Sequence, residues 1–152
     1  MVVKEIVTDS EKMNIARAVL ENLTDWFGNH AAREGHIRES AGKIFLCACC
    51  DENPVGFLYL KETGKHTAEI AVMGVLPEFH RRGMGRNLLQ AAKEICHKKG
   101  YHFMQVKTVK MGVYEEYDCT NRFYQAMEFQ EFEVIPDFWD EANPCQIYVM
   151  GI

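Results

Sequence analysis

Two periods of apolar residues run along this chain, and the places where one gives way to the other mark its elements. Residues 2–7, VVKEIV, read as a first strand. Thr8 to Glu11 then has the spacing of a capping box, and Ile15, Ala18, Val19, Leu23, Trp26 and Phe27 recur mainly every three or four residues. This predicts an amphipathic helix ending near Gly28, with a short second helix between His30 and Ser40. KIFLCACC and PVGFLYLKE flank Asp51–Asn53 as a hairpin, and TAEIAVMGV follows a turn at Gly64–Lys65 as a further strand. A sheet that begins antiparallel is the consequence.

After Pro77 the period changes again. Leu88, Leu89, Ala92, Ile95 and Cys96 form one stripe of a helix that should stop at Gly100, and HFMQVKTV at 102–109 supplies the next strand. Residues 69–109 therefore read as a strand-helix-strand crossover, with the helix packed on the sheet. A short helix around Thr120–Met127 and strands around 129–135 and 146–150 complete the chain. The expected fold class is α/β, a mixed central sheet flanked by helices in a single domain over residues 1–152.

Composition narrows the function classes. With 47% hydrophobic and 26% charged residues and only four prolines, the chain has the makeup of a folded globular domain. A net charge of -5 argues against nucleic acid as a partner, since basic residues near Arg81, Arg82 and Arg86 extend only to Lys98 and Lys99. Lys4, Glu5, Asp9, Glu11 and Lys12 interrupt the start, so no leader is expected; no apolar run suits a membrane, and a cytoplasmic location follows as the plain expectation. The six cysteines fit reduced thiols there. In the CACC run, strand alternation puts Cys47 and Cys49 on one face and Cys50 on the other, awkward for a tetrahedral metal site, so no metal is expected.

The stretch GVLPEFHRRGMGRNLLQAAKEI, Gly74 to Ile95, carries the chemistry. If residues 82–85 open the helix, several backbone N–H groups there lack intrahelical acceptors and, with the helix dipole, can hold phosphate oxygens. The segment lacks the trailing Gly-Lys-Ser/Thr of a mononucleotide phosphate loop and the full Gly-x-Gly-x-x-Gly dinucleotide fingerprint. Spacing alone leaves two readings open, an anion site and an ordinary glycine-bearing connection.

VLPEFHRRGMGRNLL resembles the acetyl-CoA-binding segment of the GNAT superfamily of N-acetyltransferases, with its Arg/Gln-x-x-Gly-x-Gly/Ala core after a strand often ending Val-x-Pro. His80 departs from the Arg/Gln place, and Arg81, Arg82, Gly83, Met84 and Gly85 complete the core. RFYQAMEF is similar to the family's Phe-Tyr-x-x-x-Gly-Phe segment through Phe123, Tyr124 and Phe129; Glu128 stands where Gly is common, and Tyr117 where Asn often stands. FWDEANPCQIYVM, Phe138 to Met150, resembles the last loop and strand of many bacterial members; its plain reading is an acidic surface loop before a core strand starting at Pro144. The resemblance covers essentially the whole chain and is most specific over residues 69–129.

The resemblance implies a cosubstrate, acetyl-CoA, bound along Gly74, Val75 and Leu76 and at Arg81, Arg82, Gly83, Met84, Gly85 and Arg86. It also implies a V-shaped opening between the strand ending at Val75 and the strand at 102–109, with Gly74 near the bulge that starts it. A backbone N–H near Gly74 or Val75 would steady the tetrahedral oxyanion. Tyr124 takes the position of a general acid to the leaving thiolate, and Glu69 that of a base to the incoming amine, against the plain readings of an aromatic core member and a solvated strand start. The acidic aromatic run Tyr114, Glu115, Glu116, Tyr117, Asp118 would line the acceptor end or form a solvated loop. An N-acetyltransferase acting on a small-molecule or peptide amine is the expected function; a non-catalytic acyl-CoA sensor is the alternative. The sequence leaves a homodimer open.

Overall fold

The computed structural model describes residues 1–152. Its elements run β1 (Val2–Ile6), α1 (Asp9–Leu20), α2 (His30–Glu39), β2 (Ile44–Cys50), β3 (Asn53–Gly64), β4 (Thr67–Val75), a 3-10 turn (Pro77–Phe79), α3 (Met84–Lys98), β5 (Phe103–Val109), α4 (Glu115–Ala126), β6 (Gln130–Asp140) and β7 (Asn143–Gly151). Strand order in the seven-stranded sheet is β1-β2-β3-β4-β5-β7-β6, an α/β fold as expected. The chain forms two compact units, residues 1–61 with 70–95, and residues 62–69 with 96–152. No helix is long and apolar enough to cross a membrane.

In the first unit β2 pairs antiparallel with β3, the hairpin expected from the sequence, and β1 pairs antiparallel with β2. The β2–β3 turn puts Asp51 and Glu52 at φ 51° and 69°, the two positive angles a tight hairpin needs. Phe45, Phe57 and Tyr59 stack with ring centroids 5.1 to 6.3 Å apart, and Ile15, Ala16, Val19, Leu20 and Leu23 are buried in the same core.

Helix α1 differs from its expected form in three ways. Thr8 holds the N-cap position but makes no side-chain cap bond, so the capping box is not formed. Asp9 instead accepts from the Gly42 amide at 2.9 Å, and buried Lys12 donates to the Lys43 carbonyl at 2.7 Å. The helix also stops at Leu20 rather than near Gly28. Hydrogen-bonded turns, Leu23 N to Leu20 O and Phe27 N to Leu23 O, carry the apolar residues onward without helix. Finally, Ala18 is exposed, and Ala16 and Leu20 fill the core face in its place.

In the second unit β7 pairs antiparallel with both β5 and β6. Two sequence boundaries move. Helix α4 begins at Glu115, earlier than residue 120, because Glu115, Glu116 and Asp118 put carboxylates on its positive end. Residues 137–140 are the end of β6 rather than a loop: Asp140 pairs with Asn143, whose amide donates to the Asp140 carboxylate at 2.8 Å. On this exposed strand Phe138 and Trp139 remain open to solvent, while Cys145 on β7 is fully buried.

Candidate active site

The residues expected to hold phosphate lie in the first unit. The Leu76 amide donates to the Val55 carbonyl at 2.8 Å, which fixes the exit of β4 and removes that amide from any cofactor contact. A Cβ on Gly74 would sit 2.8 Å from Leu23 Cδ1 and 3.4 Å from Val19 Cγ1, so packing from the α1 side already demands glycine here. Val75 and Leu76 are half-buried, and the 3-10 turn follows.

Arg81 and Gly83 then take φ values of 60° and 81°, flanking Arg82. Backbone that alternates its φ sign turns successive N–H groups into one concavity, an arrangement that suits anions. Residues 82 and 83 thus precede the helix rather than forming its first turn, a shift from the expected wrap. Helix α3 starts at Met84, and its first i to i−4 bond is Asn87 N to Gly83 O at 3.0 Å. The amides of Met84, Gly85 and Arg86 consequently have no acceptor within the helix. A Cβ on Gly83 would meet nothing within 4 Å, so the space before the turn is open. Arg81, Arg82 and Arg86 are exposed around it, Arg82 lying 5.4 Å from the Phe79 ring centroid. Converging amides, the positive helix end and guanidinium groups fit a pyrophosphate.

The two proton-transfer candidates belong to the second unit. Glu69 is 4% exposed and ion-paired with Lys107, so the expected solvated strand start is corrected to a buried, charge-compensated carboxylate. Lys107 Nζ also lies 5.7 Å from the Phe138 ring centroid. Burial raises the Cys145 thiol to about 11, with Lys107 opposing and Glu69 adding to the rise.

Tyr124 is 6% exposed, with the rings of Phe123, Phe129 and Tyr148 at 5.4, 5.6 and 6.0 Å. Burial alone pushes its phenol above the usual tyrosine range, which holds the proton on oxygen at neutral pH. The proton is therefore present for a leaving thiolate, on an acid weaker than a free tyrosine. The end of α4 fixes it: the Phe129 amide donates to the Tyr124 carbonyl at 3.0 Å across Glu128, whose φ is 74°.

Asn121, one helical turn before Tyr124, was not anticipated. It is fully buried; its amide donates to the Val109 and Tyr117 carbonyls at 2.9 and 2.7 Å, and its oxygen accepts from the Tyr148 hydroxyl at 2.7 Å. A polar residue on the same helical face as Tyr124 was the available signal. Tyr114 to Asp118, expected as acceptor lining or loop, form the start of α4, and Asp118 accepts from the Gly112 amide at 2.7 Å. The Cys47 and Cys49 sulfurs are 3.6 Å apart in the core; burial lifts the Cys47 thiol to about 12, which keeps it protonated.

A family model described as "Acetyltransferase (GNAT) family" matches residues 20–129. No curated protein sequence matches. Among solved structures, a GNAT-family protein from Desulfovibrio desulfuricans superposes with a TM-score of 0.84 at 18% identity, covering 99% of this chain and 98% of the other. A GNAT family acetyltransferase from Elizabethkingia anophelis, solved with acetyl-CoA bound, gives 0.76 at 14% identity over 99% and 97%. The ribosomal-protein-S18-alanine N-acetyltransferase from Escherichia coli gives 0.76 at 14% over 99% and 93%.

Proposed function

Because the chain belongs to the acetyltransferase (GNAT) family, we propose that it transfers the acetyl group of acetyl-CoA to a primary amine of a small molecule or peptide by direct attack. The observation that carries this reading is the turn before α3, where Arg81 and Gly83 take positive φ and the helix-opening amides meet exposed arginines. The cosubstrate's pyrophosphate rests there, on the amides of residues 82–86 and the guanidinium groups of Arg81, Arg82 and Arg86, with the arm running past Gly74, Val75 and Leu76.

The neutral amine nitrogen attacks the thioester carbon, forming the C–N bond, and the C–S bond breaks as the tetrahedral centre collapses. Glu69 receives the proton lost by nitrogen, and Tyr124 supplies one to the departing thiolate. The donor role requires a phenol that carries its proton at neutral pH, as Tyr124 does. A backbone N–H at Gly74 or Val75 stabilises the oxyanion. Carboxylates at Glu115, Glu116 and Asp118 favour an acceptor that arrives as a cation and loses its proton before attack.

The test is thiol release from acetyl-CoA across aminoglycosides, polyamines, amino acids and peptide N-termini. Amine-dependent release of CoA is expected. Saturable acetyl-CoA binding without release to any amine favours an acyl-CoA sensor, and failure to bind acetyl-CoA overturns the reading.

A further inference from the structure

We propose that His80 is a positioning residue for the cofactor's phosphates, a clasp that pins the turn before α3 to the end of β4. The inference rests on the phosphate-binding reading above. His80 stands where the family's motif has Arg or Gln, and nothing in that motif requires an imidazole. Its Nε2 lies 2.7 Å from the Val75 carbonyl oxygen, so the ring donates its Nε2 proton across the loop. The Trp26 ring packs edge-on against it, centroids 5.7 Å apart at 74°.

The need for a clasp is local. Between Val75 and the helix the chain is held by the bonds Leu76 N to Val55 O, Phe79 N to Leu76 O and His80 N to Pro77 O. The next residue, Arg81, must enter the left-handed region at φ 60°, where a residue bearing Cβ is strained. A turn carrying that strain relaxes unless both its ends are fixed. Gly83 fixes the far end by accepting the first helical bond. His80, adjacent to Arg81, fixes the near end through a side chain, with Trp26 limiting the ring's rotation. The amides of residues 82–86 are then preorganised, and the cofactor does not have to order them on binding.

His80 is exposed, so its replacement leaves the core intact. Titrating CoA into wild type, His80→Leu, His80→Gln and Trp26→Leu, with KM for acetyl-CoA, kcat and thermal midpoint measured in parallel, tests the clasp. His80→Leu should raise the CoA Kd and the acetyl-CoA KM about tenfold, the effect of one lost hydrogen bond plus a freed turn. Its kcat at saturation and its thermal midpoint should stay close to wild type. His80→Gln, whose amide N–H can reach the Val75 carbonyl, should recover most of the loss, and Trp26→Leu should fall between. Wild-type affinity in His80→Leu, or a His80→Gln no better than it, overturns the clasp. If CoA fails to bind wild type the phosphate reading falls too; if Gly83→Val loses CoA while His80→Leu keeps it, only the clasp falls.

Discussion

Glu128 ends α4 at φ 74°, in the backbone region where a side chain bearing Cβ is strained, and replacing it with glycine should stabilise the protein. The geometry is a left-handed helix stop: Glu128 N donates to Gln125 O at 3.0 Å, and Phe129 N donates to Tyr124 O at 3.0 Å. Holding a non-glycine residue there costs roughly 1–2 kcal/mol, while the freer unfolded chain of glycine returns about 0.5–1 kcal/mol of that gain. Removing a carboxylate from the negative end of the helix adds about 0.3 kcal/mol at this exposed position. The net expectation for Glu128→Gly is about 1 kcal/mol of added stability, a rise of roughly 2–4 °C in midpoint for a chain of this size. Urea unfolding with an unchanged slope reads the energy, and Glu128→Ala separates the parts, since it removes the charge and keeps the strained Cβ. A Glu128→Gly protein no more stable than Glu128→Ala would refute the strain argument.

Asn121→Leu should lower stability by about 3 kcal/mol, because it removes the acceptor of the Tyr148 hydroxyl proton and the side-chain donors to the Val109 and Tyr117 carbonyls; Asn121→Asp should recover the Tyr148 bond alone. Tyr124→Phe keeps the aromatic cluster and should lower kcat about a hundredfold with little change in KM for acetyl-CoA; unchanged acetyl transfer at every pH rejects the acid role. Burial raises the Tyr59, Tyr124 and Tyr148 phenols, so the folded state holds their protons more tightly than the unfolded chain. Their contribution is fully present below the ordinary tyrosine value near 10 and is lost as pH rises above it. Alkaline unfolding that is less steep in Tyr59→Phe would bear this out.

The strands and helices were legible where one face is buried and the period is clean. Phe57 and Tyr59 on β3, or Leu88, Leu89, Ala92 and Cys96 on α3, repeat because each faces a core. Boundaries were less legible where turns continue the apolar pattern without helix, as at Leu23, or where β6 pairs with β7 while leaving apolar residues such as Phe132, Phe138 and Trp139 exposed, so that no buried face marks its length. The turn before α3 could be read from its glycines, since a tight backbone bend before a helix restricts residue type. Its left-handed residue at Arg81 could not, because arginine gives no sign of positive φ. The burial of Glu69 was hidden for a related reason: its partner Lys107 is 38 residues away in sequence, and only the fold brings the charges into contact. Asn121 is a milder case, one of its three hydrogen bonds staying within α4 at Tyr117 and the other two reaching Val109 on β5 and Tyr148 on β7.

The most direct measurement is amide NMR of isotope-labelled protein during a CoA titration. The account predicts that the largest shift changes fall on Arg82, Gly83, Met84, Gly85 and Arg86 and saturate with the cofactor. Saturable binding that leaves those amides unmoved while shifts gather elsewhere would contradict it.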